Sequence, residues 1–202
     1  MFKQIISSDQ LQLIPLVKSF LESFYLVGGT AIALHLGHRR SIDFDLFTDK
    51  TFDPTKLRTK ISKNNKIDHV FSQGEGELTV LINNVKITFY YYPFVIGQKI
   101  LFDDVIRLPD LITLGAIKAC ALGRRAKWKD YVDLYFIFQK HTFQELINKT
   151  NGIFKSEFNE KLFRTQLGYF EDIDYSEAIN YMEGYEKNDN EIKKYLEKIS
   201  LS

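Results

Sequence analysis

Apolar and polar positions alternate with different periods in the two halves of the chain. Ser8-Asp9-Gln10 precedes LQLIPLVKSFLESF, whose apolar positions recur at helical spacing, so a capped amphipathic helix is predicted there with Pro15 disturbing it. FYLV at 24–27 is a short apolar run stopped by Gly28-Gly29 and reads as a strand. Thr30 opens TAIALHLG, a short helix closed by Gly37. SIDFDLF at 41–47 alternates polar and apolar residues, the period of a strand. A basic stretch from Lys56 to Lys66 reads as helix then loop. GELTVLINN and VKITFYYYP face each other across Asn83-Asn84, a two-residue turn in which Asn tolerates positive φ. ILFDDVIRL is strand-like and leads to Pro109, where the strand signal ends. LITLGAIKACALGRR, WKDYVDLYFIFQK, TFQELINKT, NEKLFRTQLGYF and the tail from Ser176 then read as helices. The expectation is an α/β (α+β) domain with a mixed sheet over 1–108, followed by an all-helical domain over 109–202, without repeats or low-complexity segments.

Composition narrows the class. Of 202 residues, 45% are hydrophobic, and 17 Phe with 11 Tyr can fill a substantial core. Basic and acidic side chains nearly cancel, 27 against 26, so affinity for nucleic acid has to come from local clusters. The single Cys120 allows neither an intramolecular disulfide nor a cysteine-based zinc site, and it fits a reducing cytoplasm. The first ten residues, MFKQIISSDQ, lack the apolar stretch of a secretory signal, and no apolar run approaches the ~20 residues that span a bilayer. A cytoplasmic protein without a membrane partner is expected.

The chemistry is concentrated in GGT at 28–30 and D-F-D at 43–45. Residues two apart on a strand point the same way, so Asp43 and Asp45 project together while Phe44 and Leu46 enter the core. Two adjacent carboxylates repel unless a cation neutralises them, and carboxylate oxygens suit magnesium, which can clamp the attacking and leaving oxygens of a phosphoryl transfer. Glycines without side chains let backbone N–H groups approach a triphosphate at the start of a helix, where unpaired donors and the helix dipole favour anions. The Thr30 hydroxyl can add a donor. Either piece alone is a weak signal, since GG is a common turn and D-x-D a common solvated edge. In this order, on strand, turn, helix and strand, they form one phosphate-and-metal device.

FYLVGGTAIALHLGHRRSIDFDLFT resembles the active-site segment of the AbiEii/AbiGii toxin family, within the DNA polymerase β-like nucleotidyltransferase superfamily. The resemblance continues through VKITFYYYP and LPDLITLGAIKACALGRRAKWKDYVDLYFIF to LGYFEDID, nearly the whole chain. It implies a nucleotidyltransferase domain followed by helices, use of a nucleoside triphosphate (NTP) and magnesium, and the role of toxin beside a transcription-factor-like antitoxin. Some relatives modify the 3′ acceptor end of tRNA. Carried over by motif, Gly28, Gly29 and Thr30 bind phosphate and Asp43 and Asp45 bind metal. Lys118 on the first C-terminal helix faces the triphosphate. K-D-x-x-D falls on Lys129, Asp130 and Asp133, with Asp130 favoured as the catalytically important acid. One departure stands out: many members of the superfamily carry a third metal-binding carboxylate on a later strand, and VKITFYYY offers only Thr88 or a neighbour in its place.

Other residues admit a plainer reading. Arg39 or Arg40, beside His38 before the D-x-D strand, can neutralise phosphate or merely balance Asp43 and Asp45. Arg124, Arg125, Lys127 and Lys129 form a basic turn that can guide a triphosphate or an RNA backbone, and a solvated helix end explains it almost as well. The triphosphate is thus assigned Arg39 and Arg125 as well as Lys118. Lys118 sits among small and apolar neighbours, where snorkelling at an interface is the alternative. Phe89 to Tyr92 can stack a base, although alternating strand packing is the default. Transfer to RNA leads. Transfer to a protein or small molecule, and a nucleotide-binding module without turnover, stay open.

Overall fold

The computed structural model describes residues 1–122 and 125–202. The predicted N-terminal helix is two: α1 (Ser8–Gln12), closed at its start by a capping box between Ser7 and Gln10, and α2 (Ile14–Lys18), with Pro15 in its first turn. Pro15 has no N–H to continue the first helix, so the chain restarts there. β1 (Tyr25–Val27) follows and runs directly into α3 (Gly28–Leu36), which begins at Gly28 rather than Thr30. Gly37, at φ 70°, ends α3 in the left-handed conformation. β2 (Phe44–Thr48) starts one residue after Asp43, and Asp53 caps α4 (Pro54–Ser62).

β4 (Glu77–Ile82) and β5 (Val85–Tyr91) pair across Asn83 and Asn84, both at positive φ, as the turn chemistry requires. β3 (His69–Gly74), unread in the sequence, adds an edge strand with a bulge between Val70 and Ser72. ILFDDVIRL folds back on itself as a hairpin of β6 (Ile100–Phe102) and β7 (Ile106–Leu108), turning on Asp103 and Asp104 at φ 44° and 53°. The seven strands form one mixed sheet in the order β3-β4-β5-β2-β1-β7-β6. β2 lies antiparallel to β1 and parallel to β5, so Asp45 sits in register between Val27 and Thr88.

One face of the sheet is apolar. On β5, Val85, Ile87 and Phe89 are buried, and Phe89 meets Phe20 and Phe24 edge-on at centroid distances of 5.0 and 5.2 Å. Lys86, Thr88 and Tyr90, the alternate residues, line a cleft on the other face.

The remaining helices are α5 (Leu111–Leu122), α6 (Trp128–Phe138), α7 (Phe143–Phe154), α8 (Glu160–Leu167) and α9 (Asp189–Ser200). α5 and α7 pack closely at Gly115, where a Cβ would come within 2.9 Å of Leu146 Cδ1. The expected helical tail is helical only from Asp189, as α9. Residues 168–188 form a strap without regular helix or strand, and its backbone pairs with the loop before β2: Arg40 N–H donates to Asn180 O at 2.8 Å and Met182 N–H to His38 O at 3.0 Å. The strap and α6 thereby anchor the helical half to the sheet half.

Candidate active site

The sharp joint between β1 and α3 sets the site. Gly28 has φ +69°, and a Cβ built on it would lie 2.0 Å from Asp45 Oδ2. Only glycine permits both the backbone turn and this approach of a carboxylate to the first turn of a helix. Asp43 reaches the same end of β2 from just outside the strand. Its carbonyl is held by the Thr30 hydroxyl and by Gln10 Nε2 at 3.4 Å. Thr30 is buried, with its hydroxyl bound to the Asp43 backbone. Its hydroxyl therefore positions a proposed metal ligand instead of offering the phosphate donor read from GGT.

The carboxylate pair is partly neutralised from an unexpected side. Lys86 on β5 places Nζ 3.2 Å from Asp43 Oδ2. It stands two residues before Thr88 on the cleft face, and that alternation was the available signal for it. The Asp45 carboxyl is pushed above its ordinary range, first by burial and then by the negative charge of Asp43; Lys86, Lys129 and Arg125 pull it partway back. Thr88, in register with Asp45, occupies the neighbouring strand where a third acid was sought. Among the described residues no group of three His, Cys, Asp or Glu side chains is placed to hold a metal. Asp45 lines the cleft, and Asp43 lies beside it at Lys86; two such carboxylates would suit a magnesium ion completed by phosphate oxygens and water.

The cleft, about 790 Å³, lies between this sheet face and α5. Gly28, Asp45, Lys86, Lys118 and Arg125 line one part of it and Phe71, Glu77 and Tyr90 another. Lys118 belongs to it, but its ammonium is gripped by Asp130 Oδ1 at 2.7 Å and Asp133 Oδ2 at 2.8 Å. Burial opposes the charge on Lys118, yet the two aspartates outweigh it and raise its pKa. Asp130 and Asp133 are themselves buried. Burial opposes their ionisation too, but Lys118 with Arg125 lowers the Asp130 carboxyl, and Arg39 with Lys118 holds Asp133 well below the usual carboxylate range.

Arg39 has a different post from the one expected. It is buried and forks onto Asp133, Nε to Oδ1 at 2.7 Å and Nη2 to Oδ2 at 2.8 Å, and Nη1 donates to Arg40 O. A planar guanidinium matched to a desolvated carboxylate is strongly held, so Arg39 is withdrawn from any phosphate. Gly29 makes room for it, since a Cβ there would fall 2.6 Å from Arg39 Nη2. His38 Nε2 is 2.7 Å from Asp133 Oδ1, and burial lowers the His38 pKa despite that partner. The neutral ring then donates from Nε2.

The basic turn is divided. Arg124 lies outside the described residues. Arg125 is exposed and donates to Asp130 Oδ2 at 3.1 Å while facing the cleft. Lys127 and Lys129 both bind Glu177 of the strap, Lys127 at 2.5 Å. Burial works against the Glu177 charge, but these lysines pull its pKa down to about 2.

Three comparisons bear on this arrangement. Residues 16–198 match the family described as nucleotidyl transferase AbiEii toxin, type IV TA system. An uncharacterized protein of Aquifex aeolicus is 30% identical over 185 residues, covering 86% of this chain and 88% of the relative. The fold is similar to that of JHP933 from Helicobacter pylori, with 19% identity, a TM-score of 0.56, and 97% and 92% of the two chains covered. It is also similar to that of MenT4, a nucleotidyltransferase toxin from Mycobacterium tuberculosis, with 13% identity, a TM-score of 0.60, and 95% and 82% covered. No helix among the described residues is long and apolar enough to cross a membrane. With the match spanning nearly its whole length, the chain belongs to the AbiEii nucleotidyltransferase toxin family of type IV toxin–antitoxin systems.

Proposed function

We propose that this nucleotidyltransferase moves a nucleoside monophosphate from magnesium-bound NTP to RNA, the 3′ end of tRNA being the favoured acceptor, and that a cognate antitoxin opposes the resulting growth arrest. One observation carries the reading: the glycine that opens α3 touches Asp45, so the helix N-terminus and this carboxylate meet at the cleft, with Asp43 two residues before it. Asp43 and Asp45 are the magnesium ligands in this reading. The metal supplies charge neutralisation at the transferring phosphate.

The rest falls to the protein. Backbone N–H groups at Gly28 and Gly29 receive phosphate oxygens at the positive end of α3. Arg125 and Lys118 stand on the α5 side of the cleft, where the leaving pyrophosphate gathers charge. The acceptor hydroxyl oxygen forms a bond to the α-phosphorus, the bond from that phosphorus to the bridging oxygen breaks, pyrophosphate departs and the hydroxyl proton passes to solvent. Asp130 holds Lys118 and Arg125 together at this side. The exposed aromatic rings of Phe71 and Tyr90 at the cleft support a nucleic-acid acceptor, because base stacking needs open π-faces.

The test is transfer of label from each of the four α-labelled NTPs to purified total RNA, tRNA and total protein, with magnesium or with chelator. Magnesium-dependent labelling of RNA is expected. Label on protein alone would refute the acceptor, and no label on either would refute turnover.

A further inference from the structure

The part of the cleft beyond Thr88 has a chemistry that phosphate and metal do not require. Thr79 is in register with Thr88, and Ser72 with Thr79, so this face continues two strands past Thr88 as a row of hydroxyls. At neighbouring-strand spacings of about 4.8 Å, Thr79 stands roughly 10 Å from Asp45, about the reach of a nucleoside from its phosphate. Glu77 leans into this row. Its Oε1 accepts the Ser72 hydroxyl at 2.5 Å and the Thr79 hydroxyl at 3.5 Å. Among the described residues it forms no ion pair, and no hydrogen bond engages Oε2. Two aromatic residues line the same part of the cleft as Glu77: Tyr90, in register with it and 39% exposed, lies 5.3 Å from Phe47 between ring centroids, and Phe71, 56% exposed, meets His69 edge-on at 4.7 Å. An anion held by the Ser72 hydroxyl, without an ion-pair partner among the described residues and in a cleft lined by exposed aromatic rings, repels phosphate and suits the donor edge of a stacked ring.

We infer that Glu77, with Phe71 and Tyr90, forms a nucleobase-recognition subsite that accepts a base carrying an exocyclic amino group and disfavours uracil. Cytosine, adenine and guanine present amino N–H donors to a carboxylate, whereas uracil offers carbonyl oxygens at the corresponding positions and a single ring N–H. Stacking holds any base, so Glu77 supplies the discrimination. The base belongs either to the NTP or to the terminal nucleotide of the acceptor, which share this chemistry. The inference rests on the nucleotidyl-transfer reading, and its first test is chosen to be independent of transfer.

That test is binding of cytidine, adenosine and uridine, without phosphate, followed by ligand-observed NMR with the wild type, Glu77→Gln and Phe71→Ala. Glutamine keeps a carbonyl for Ser72 and Thr79 but places an amide NH₂ at Oε2, so the fold is retained and the edge changes from acceptor to donor. Wild type should favour cytidine and adenosine over uridine by roughly tenfold, and Glu77→Gln should abolish or reverse that ratio. Phe71→Ala should weaken all three, because stacking is indifferent to the edge. Equal wild-type binding of the three nucleosides, or an unchanged ratio in Glu77→Gln, would overturn the inference even if transfer is intact. Absence of transfer with the nucleoside preference present would remove the enzymatic reading and leave the subsite. Two transfer arms then locate the base. A loss of selectivity in Glu77→Gln among NTPs at a fixed acceptor assigns it to the incoming nucleotide, and a loss among acceptors ending in C, A or U at a fixed NTP assigns it to the acceptor. Wild-type selectivity in both arms of the variant would count against the subsite.

Discussion

Replacing Asp133 by Asn tests whether the buried charge cluster is a structural joint. The carboxylate receives His38 Nε2, Arg39 Nε and Nη2, and Lys118 Nζ, all between 2.7 and 2.8 Å, and it joins the loop before β2, α5 and α6. The substitution leaves Arg39 buried without its paired carboxylate and Lys118 buried with Asp130 alone. Removing one member of a buried pair costs about 3–5 kcal/mol, because the remaining charge is desolvated without compensation. The asparagine carbonyl can still accept one bond, which places the expectation near the lower end, about 3 kcal/mol. A chain of this length loses roughly 2–4 °C of Tm per kcal/mol, so a fall of about 6–12 °C is expected, measurable by calorimetry and urea titration. The pH dependence gives a second handle. Asp133 has a folded pKa held well below the usual value, so its contribution is fully present above the unfolded pKa near 4 and is lost as pH falls through the folded value. Asp133→Asn should therefore lose less stability than wild type between pH 4 and the acid transition. A variant within about 1 kcal/mol of wild type at pH 7, with the same acid limb, would refute the hub.

Asp45→Asn should abolish transfer yet raise Tm in chelator. The Asp45 carboxyl is raised, so the folded state retains its proton to higher pH than the unfolded chain, and ionisation removes stability as pH climbs from about 4 through the folded value; an unchanged or lower Tm at pH 7 would contradict this. Gly28→Ala, with its Cβ driven to 2.0 Å from Asp45 Oδ2 on a positive φ, should cost roughly 100-fold in transfer rate through misplacement of the site, and a variant of near wild-type rate would show that the joint tolerates movement. Lys86→Met removes the cation that competes with metal for Asp43, so half-saturation should require several-fold less magnesium in a rate titration. An unchanged or higher requirement would show that Lys86 does not oppose the metal.

The parts of the fold that were legible have local causes. Asn83-Asn84 announces the β4–β5 turn by tolerance of positive φ, and alternation along 85–91 separates Val85, Ile87 and Phe89 from Lys86, Thr88 and Tyr90. The illegible parts depend on distant partners. HVFSQG on β3 has only Val70 and Phe71 as large apolar residues and is a strand because β4 pairs with it along its length. The tail from Ser176 reads as helix, but in its first part Tyr181 is bridged to Arg39 and Glu177 is tied to two lysines, contacts that an isolated helix would forgo. ILFDDVIRL reads as one strand until Asp103 and Asp104 take positive φ and fold it in two.

The same division explains the site. GGT and D-F-D could be recognised because strand period and chain reversal place them together without help from the rest of the molecule. Cations could not be assigned from sequence, since a basic side chain near a glycine turn serves phosphate or a buried acid depending on what lies opposite. Here Asp133 faces Arg39, and Glu177 faces Lys127 and Lys129, so three of the basic residues near the active site are held by acids far away in the chain. Lys118 has Asp130 and Asp133, and Lys86 has Asp43. Arg125 is the most open of them, with one bond to Asp130 and its side chain about half exposed. In the proposed reading, a triphosphate entering this cleft would meet Lys118 and Arg125 already aligned by Asp130, so their positions would be set before the ligand arrives and little reorganisation would be left for the transfer step.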